Sequence, residues 1–408
     1  MSTAMAREPL GESGECVDDP RRRSAPVSGQ LEAIVTDDID QIPPAMWDAL
    51  LDDDDLQASH RLVRICQRSG VEDAEYRHIL LSRGGRTVAT ATLARMDVRL
   101  ELLAAPGLQR PVTAARRLFP SLLRVPVILG GLPVSFGQSC LRVAPGEDAS
   151  PLLARFADEA DRFAESAGAG FICFKEMSST EAQVADGLGD LGYFRVPSLP
   201  SCHLELPFDD MKGFSDAMRS GYRRQLRHTE RERQDNHLTV RRIDDWESLE
   251  DTLFELYEQV MDRAEYQMER LNAAFFRELR MAFGDQTRVL TVEGEGGDVL
   301  AFALMLHGKL RSTFLIAGIR YPAPGALAAY RSVVTETIAD ALRHGASALE
   351  MGQTSYGIKT RLGGQPTARY LYVRHRGPLL HRLLRASGGV LFPDHAVPPR
   401  RVFRKAEL

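Results

Sequence analysis

One arrangement of strands occurs twice in this chain of 408 residues, and the repetition limits the folds that it can adopt. The run YRHILLSRGGRTVATATLARM has two β-rich stretches around Gly84 and Gly85, which predicts an antiparallel hairpin. The run TRVLTVEGEGGDVLAFALML repeats that pattern around Gly296 and Gly297. One hairpin is common in proteins, whereas two similar hairpins in one chain favour two related halves.

A second pair of segments supports the duplication. An amphipathic helix in ARFADEADRFAESAGAG ends near Gly168 and leads into the apolar strand FICFKEM. The helix in YRSVVTETIADALRHGAS ends at Gly345 and leads into ALEMG in the same way. The first copy carries about 35 extra residues, for which the Pro-rich region from about 98 to 148 has room. Chance similarity between two short α/β units is the alternative.

We therefore expect an α/β protein of two tandem halves, each a mixed β-sheet flanked by helices. Residues 1–30 are rich in Gly, Pro, Ser and charge, and we expect a disordered leader there. The first domain is predicted over 31–206 and the second over 207–385, with a basic linking helix over 211–235. Residues 386–408 are expected to form a C-terminal tail.

Composition excludes several classes of protein. The net charge is only -5, with 44% hydrophobic and 26% charged residues, so the chain has no overall attraction to nucleic acid or acidic lipid. The five cysteines are scattered and form no C-x-x-C pair, which favours a reduced, cytoplasmic protein without a metal site. No stretch of about 18 apolar residues is present, so we predict no membrane insertion.

The segment MRSGYRRQLRHTERERQDNH between the halves is strongly basic. From Arg219 to Arg242 the chain has eight arginines and three acidic residues. The spacing of Arg223, Arg224 and Arg227 groups guanidinium groups on a helix, where they suit the phosphates of a nucleotide sugar, coenzyme A or tRNA. We predict that these three arginines bind substrate. A solvated helix whose arginines pair with glutamates is the alternative.

The stretch GQTSYGIKTRLGG, which starts at Gly352, is close to a phosphate-binding P-loop but does not match one. The gap from Gly352 to Gly357 is right, yet Ile358 separates Gly357 from Lys359 and Thr360. The glycines and the proline of TRLGGQPTA cannot sustain the helix that such a loop needs. We therefore predict that the stretch turns from one strand to the next, without a helix, and holds no nucleotide.

Three segments together have the pattern of a known family. They are the basic helix MRSGYRRQLRHTERE, the run LYEQVMDRAEYQMERLNAAFFREL and the stretch GQTSYGIKTRLGGQPTARYLYVRHR. In the last segment Gly352, Tyr356 and Lys359 precede a Leu-Gly pair, as in the family pattern. The chain thus resembles the FemAB-like group of the GNAT superfamily, over roughly residues 205 to 376.

The resemblance implies two tandem acyl-CoA N-acyltransferase folds and transfer of an activated acyl group to an amine. The expected donor is acyl-CoA or an acyl thioester on a carrier protein, used as a co-substrate, with no tightly bound cofactor. The expected acceptor is a small-molecule amine. One alternative is a peptide-bond-forming transferase of FemAB type that uses aminoacyl-tRNA. The other is a double GNAT fold that binds a ligand without catalysis.

The late stretch and the strand before it supply the candidates for catalysis. Lys359 is expected to stabilise the oxyanion or grip a phosphate, and Tyr356 to donate a hydrogen bond. Glu350, at the end of the strand ALEMG, is expected to accept the proton of the amine. Gly352 and Ser355 are expected to bind substrate. Surface or packing roles for the same side chains are the alternative.

The donor is expected at the turn AGIRYPAPGALAAYRSVV, where a strand leads into a helix. GNAT acetyltransferases place coenzyme A pyrophosphate on a turn patterned Arg/Gln-x-x-Gly-x-Gly/Ala, which Arg320, Ala323 and Gly325 meet only in part. Two prolines also remove N–H donors from this loop. Arg320, Gly325 and Tyr330 are predicted to bind the donor, with a core position as the alternative for Tyr330.

No histidine or cysteine is predicted to take part in catalysis. His228 lies in the basic helix, His307 borders a strand and His344 ends a helix, so each is expected to be structural. Cys173 and Cys202 lie in apolar strand runs without an adjacent base.

Overall fold

The computed structural model describes residues 29–99, 124–134, 136–264 and 269–404. Most of the predicted leader, 1–30, and part of the predicted insertion within 98 to 148 lie outside the described residues.

The predicted strands and hairpins are present within the described residues. The strands, in chain order, are β1 (Leu31–Thr36), β2 (Glu75–Arg83), β3 (Arg86–Arg99), β4 (Arg124–Gly130), β5 (Arg142–Val143), β6 (Phe171–Ser178), β7 (Phe194–Pro197), β8 (Ser201–Glu205), β9 (Thr239–Ile243), β10 (Thr287–Glu293), β11 (Val299–His307), β12 (Arg311–Ile319), β13 (Ala348–Gly352), β14 (Gln365–Thr367) and β15 (Arg369–His375). Both predicted hairpins, β2 with β3 and β10 with β11, pair antiparallel.

The helices differ widely in length. They are α1 (Pro44–Trp47), α2 (His60–Ser69), α3 (Ala149–Ser166), α4 (Ser179–Ala185), α5 (Met211–Ala217), α6 (Ser220–Asp235), α7 (Glu250–Met261), α8 (Ala273–Phe283), α9 (Ala326–His344), α10 (Tyr356–Arg361), α11 (Pro378–Ala386) and α12 (Gly388–Leu391). The longest, α9, begins after Gly325 and ends at Gly345, both in the left-handed region at φ 78° and 84°. Glycine adopts that conformation without the steric cost of a Cβ atom, which explains both boundaries.

The strands form two sheets with corresponding orders. The first sheet runs β1-β2-β3-β4-β6-β15-β7, with β5 added beside β3. The second runs β9-β10-β11-β12-β13-β8-β14. In each sheet the first four strands pair antiparallel, and the fourth strand then pairs parallel with the fifth. These parallel pairs are β4 with β6 in the first sheet and β12 with β13 in the second. This correspondence confirms the predicted tandem α/β halves.

The two sheets exchange one strand. Strand β15, from the end of the second half, lies between β6 and β7 of the first sheet. Strand β8, from the end of the first half, lies between β13 and β14 of the second. The domain boundary predicted between residues 206 and 207 divides the chain into two consecutive parts. Each sheet, however, contains one strand from the other part.

The cores follow this layout. Helix α3 covers one face of the first sheet through residues such as Leu152 and Phe156. Helix α9 covers one face of the second sheet through Val333 and Ile338. A third core contains residues of both halves, which bury a large apolar surface together. Its bulkiest members include Trp47, Trp246, Phe275, Phe276 and Phe302.

Two predictions about the ends of the second half need correction. The basic helix predicted over 211–235 is two helices, α5 and α6, because Met218 has extended backbone and forms a β-bridge with Phe403. The same bridge holds part of the predicted tail, 386–408, on the second core, where Val402 and Phe403 are buried. The described part of the tail therefore packs on the fold.

Candidate active site

The parallel pair in the second sheet stops pairing part-way along both strands. Strands β12 and β13 pair over three positions, which end at Thr313 and Glu350. Strand β12 continues to Ile319 along β11, with a bulge near Leu304. Beyond Thr313 the backbone groups that face β13 have no partner in that strand, so they can meet a ligand. Bulges are common beside active sites, because they redirect side chains.

The loop after β13 has an unusual backbone. Gly352, Thr354 and Ser355 have φ of 69°, 63° and 48°. The left-handed conformation is uncommon for a β-branched residue such as Thr354, and each such non-glycine residue costs about 1–3 kcal/mol. The amide Nε2 of Gln353 donates to the carbonyl of Leu199 at 2.7 Å and fastens the loop to the segment before β8. Strain held in this way is typical of functional loops.

Lys359 lies in α10, so the prediction that this stretch has no helix is wrong. The helix is short and ends at Arg361, before Gly363 with its positive φ of 103°. Lys359 is only 4% exposed. Its Nζ donates to the carbonyl of Gln353 at 2.7 Å and lies 5.9 Å from the ring centroid of Phe314. Burial lowers the pKa of Lys359 to about 8.

Tyr356 opens α10 and anchors it. Its hydroxyl donates to the carbonyl of Pro200 at 2.7 Å. Its backbone carbonyl accepts from Oγ1 of Thr360 at 2.8 Å. The phenol thus binds the helix to the segment that enters β8, and its proton is engaged in this conformation.

Glu350 is joined to a histidine that the sequence analysis missed. Nδ1 of His203 donates to Glu350 at 2.8 Å, and Nε2 of the same ring lies 2.7 Å from Glu205. The hydrogen bond to Glu350 raises the pKa of His203, and the charge of Glu205 adds to the effect. His203 therefore favours the imidazolium form between two carboxylates.

Glu350 and Lys359 lie on opposite faces of the second sheet. Leu349 and Met351 point into the core with α9, so Glu350, which lies between them, points to the other face. Lys359 packs over Phe314, a member of the core with α9. The two predicted catalytic residues thus approach the end of the β12–β13 pairing from its two sides.

The predicted donor residues are only partly brought together. Burial raises the pKa of the Tyr330 phenol, and the neighbouring Ser355 side chain partly offsets this effect. Arg320 instead donates to the carbonyl of Val299 at 3.0 Å and pairs with Glu255 at 3.1 Å. Gly325 caps α9 without a side chain, which leaves N–H groups of the first turn available to a ligand.

A groove lies between α6, α9 and α10. It has a volume of about 250 Å³. Its apolar lining comes from Tyr222, Leu226, Leu327, Tyr330, Ile358 and Leu362. An apolar groove with a few polar groups at its edge is typical of a binding site. Because Tyr330 in its lining is also close to Ser355, the groove adjoins the strained loop.

The predicted arginines of α6 do not line this groove. The helix faces the groove with residues 222, 225, 226 and 229. At 100° per residue, Arg224 and Arg227 lie on the opposite, exposed face. Arg223 is 3.8 Å from Asp216. The arginine cluster and Lys359 are therefore separate features.

Neither metal clusters nor membrane spans occur in the part of the chain that the structure describes. No group of three or more His, Cys, Asp or Glu side chains there could hold a metal ion. None of the described helices has both the length and the apolar character needed to cross a bilayer.

Comparison with known proteins gives matches to one fold. Residues 217–360 match the family model of the acetyltransferase (GNAT) domain. The structure of FemX is similar with a TM-score of 0.55 and 14% identity, over 86% of this chain and 99% of that one. A tandem GNAT protein from the clavulanic acid biosynthesis pathway, solved without AcCoA, gives 0.52 and 13% over 86% and 99%. No curated protein matches in sequence. The chain therefore shares its fold with FemX and with this tandem GNAT protein, and residues 217–360 of its second half are similar to the acetyltransferase (GNAT) domain family.

Proposed function

We propose that this protein is an N-acyltransferase that moves an acyl group from a thioester of coenzyme A or of a carrier protein to a small-molecule amine. The observation that carries the proposal is the site at the end of the β12–β13 pairing. A buried lysine lies on one side of it and a carboxylate–imidazole pair on the other. We also propose a cytoplasmic location, because four buried cysteines are free thiols.

The donor enters from the side of α9 and α10. The groove beside Tyr330 holds the apolar arm of the donor. Gly325 exposes the first turn of α9, where the helix dipole and free N–H groups favour a phosphate. Arg320 borders the same turn and would leave Glu255 to contact the donor. The acyl carbonyl then lies near Gly352 and Ser355.

The acceptor enters from the other face, where Glu350 lies. The amine nitrogen attacks the thioester carbonyl, the new C–N bond forms, and the amine proton passes to the Glu350 carboxylate. The C–S bond then breaks and the sulfur leaves as a thiolate that takes up a proton. His203 orients Glu350 through the 2.8 Å hydrogen bond. No covalent enzyme intermediate is required.

Lys359 supplies positive charge to the oxyanion side. An ammonium group in a buried site stabilises developing negative charge more strongly than one in water. Lys359 also holds the strained loop through the carbonyl of Gln353. Tyr356 fixes the start of α10 and becomes an additional donor to the oxyanion or the leaving group if its bond to Pro200 opens.

The test measures thiol release from acetyl-CoA with a panel of amines. Lys359→Met keeps the length of the side chain and removes its charge. We expect it to lower kcat/KM by about 100-fold or more, as loss of an oxyanion donor does. Lys212→Met, at an exposed lysine on α5, is the matched control and should keep full activity. Unchanged turnover in a folded Lys359→Met variant would refute the site.

A second candidate function is transfer from aminoacyl-tRNA. It is favoured by Arg224, Arg227 and Arg231, which share the exposed face of α6 away from the groove. Activity that falls steeply with salt and is lost after ribonuclease treatment would support it. Turnover with acyl-CoA that salt leaves unchanged would exclude it. Absence of turnover with either donor, together with ligand binding, would favour a non-catalytic double fold, which the pairing of Arg320 with Glu255 also suggests.

A further inference from the structure

Helix α11 exposes a row of leucines. Leu379, Leu380 and Leu383 are 73%, 54% and 62% exposed, and Val390 in the next helix is 67% exposed. At 100° per residue the three leucines lie within one face of α11. Other exposed apolar side chains of the described residues, such as Met281, are isolated. A concentrated apolar patch of this kind marks an interaction surface.

The other side of α11 packs on the fold, which determines where the leucine face points. Leu384 and Phe392 pack against the outer core of the first sheet, beside Val196. The ring of His381 lies 5.6 Å from that of Phe194. Because this side is packed on the fold, the leucines are held pointing away from it.

The surroundings of the leucines are basic. The segment RGPLLHRLLRASGGVLFP, residues 376–393, contains Arg376, Arg382 and Arg385 and no acidic residue. All three arginines are exposed. A symmetric contact with a second copy would bring these arginines near their own counterparts, which like charges oppose. An apolar face with Arg382 at its edge instead fits a surface with anionic groups outside and an apolar interior.

A cavity adjoins the start of α11. It has a volume of about 310 Å³. Arg374, Arg376, His375 and His381 line it, with Asp161 on the same wall. Arg374 is paired with Asp161, whereas Arg376 lies 3.6 Å from Glu165 and 4.0 Å from Asp161, so it can leave these loose pairs to meet a bound anion. The cavity therefore offers donors to a phosphate beside the apolar face.

We propose that α11 and this cavity form a docking surface for a membrane that contains anionic phospholipid. The leucines enter the boundary between headgroups and acyl chains, and the arginines contact lipid phosphates. The protein attaches to the surface and does not cross the bilayer. Helix α11 follows β15 of the first sheet, whereas the candidate site lies at the end of the β12–β13 pairing in the second sheet. Docking thus leaves the acyl-transfer site free, and it does not depend on the proposed reaction.

The test is flotation of the full chain with vesicles of phosphatidylglycerol and phosphatidylcholine, compared with phosphatidylcholine alone. We expect binding to the anionic vesicles that weakens at high salt. The double variant Leu379→Ser, Leu383→Ser should lose it. Arg382→Gln, at the edge of the leucine face, should weaken it about fivefold. Met281→Ser, at an exposed methionine on α8, is the matched control and should bind as the parent chain does.

Three results would overturn the proposal. They are no binding to anionic vesicles, equal binding to neutral ones, and unchanged binding by the double leucine variant. A concentration-dependent dimer that the leucine changes abolish, without vesicle binding, would assign the face to a second copy. Since the leucine variants should keep acyl transfer to a dissolved amine, failure of docking can be distinguished from failure of the proposed activity.

Discussion

Nδ1 of His203 lies 2.8 Å from Oε1 of Glu350, although the two residues are 147 positions apart in the chain. They meet because β8 leaves the first half and pairs with β13, with His203 directly opposite Glu350. The exchanged strand therefore contributes a residue of the candidate site. If the first half only stabilised the second half, we would not expect it to contribute a side chain to the candidate site.

Glu350→Gln should lower kcat more than it changes KM, because it removes a proton acceptor and keeps the shape of the side chain. It should also lower the pKa of His203, since the hydrogen bond to Glu350 is the largest cause of the raised value. NMR titration of the His203 ring measures this directly. A lower kcat with an unchanged His203 titration would show that the pair is not coupled.

The same pair predicts how stability depends on pH. A raised pKa in the folded state stabilises the protein fully below the ordinary histidine pKa, and this stabilisation is lost as pH rises through the folded value. The parent chain should thus lose more stability than Glu350→Gln on passing from pH 6 upward. Urea unfolding across that range measures the difference, and parallel curves would contradict it.

Lys359→Met should stabilise the fold while it lowers activity. The pKa of about 8 lies below the ordinary lysine value because burial disfavours the charge. The unfolded chain therefore binds more protons between pH 8 and the ordinary lysine pKa of about 10.4, so this group adds stability as pH rises through that range. At pH 7 the variant removes a buried charge, and we expect the free energy of unfolding to rise by about 1–3 kcal/mol. A less stable variant would show that the bond to Gln353 outweighs the cost of burial.

The activity of the parent chain should fall as pH rises through about 8, if the charge of Lys359 stabilises the oxyanion. The profile of kcat/KM against pH for acetyl-CoA measures this. Lys359→Met should lack that alkaline limb in its residual activity. An alkaline limb of the same position in the variant would assign it to another group.

Asp340→Asn should destabilise the second half. The fully buried Asp340 carboxylate accepts from Nε of Arg242 at 2.7 Å and lies 3.2 Å from Arg288 and 3.0 Å from His307. Burial alone would raise its pKa, but the nearby His307 and the two arginines hold the pKa at about 2. Loss of the charge leaves Arg242 without its acid, although Arg288 keeps its pair with Asp244, and we expect a cost of about 3 kcal/mol at pH 7.

Low pH should reduce the difference in free energy of unfolding between the parent chain and Asp340→Asn. A depressed carboxyl pKa adds stability above the unfolded value of about 3.9, and this stability disappears as pH falls toward 2. Urea unfolding of the variant and the parent chain at pH 7 and pH 3 measures the gap, which should narrow at pH 3. Asp53→Asn, in the exposed pair with Lys309, is the control and should cost less than about 1 kcal/mol.

A chain that ends at residue 368 should lose structure in the first half as well as the second. It lacks β15, which pairs with both β6 and β7. Hydrogen exchange should show lost protection of the amides of these two strands, although they lie far from the deletion in sequence. Full protection of β6 and β7 would mean that the first sheet closes without its exchanged strand.

The duplication could be predicted because its signals are local. Glycine pairs mark each hairpin, and Gly168 and Gly345 each follow a helix that leads into a buried strand. Strand exchange has no such signal, since β8 and β15 have the same composition whichever sheet they join. His203 could be recognised only through its partner, because the alternation in SCHLE places it beside Glu205 but says nothing about Glu350.

The helix around Lys359 was missed for a different reason. Its first turn follows Ser355 in the left-handed region and has no side-chain cap. Packing of Tyr356 on the segment before β8 stabilises it instead. A six-residue helix held by tertiary contacts has too weak a local preference to be predicted. Burial of Lys359 depends on the same contacts.

The strand exchange also sets an order for assembly during translation. The second sheet takes its borrowed strand, β8, from a part of the chain that has already been made when β9 appears. The first sheet must wait for β15, which follows β14 and therefore emerges after every strand of the second sheet. The half that the ribosome makes first is thus the half whose sheet is completed last.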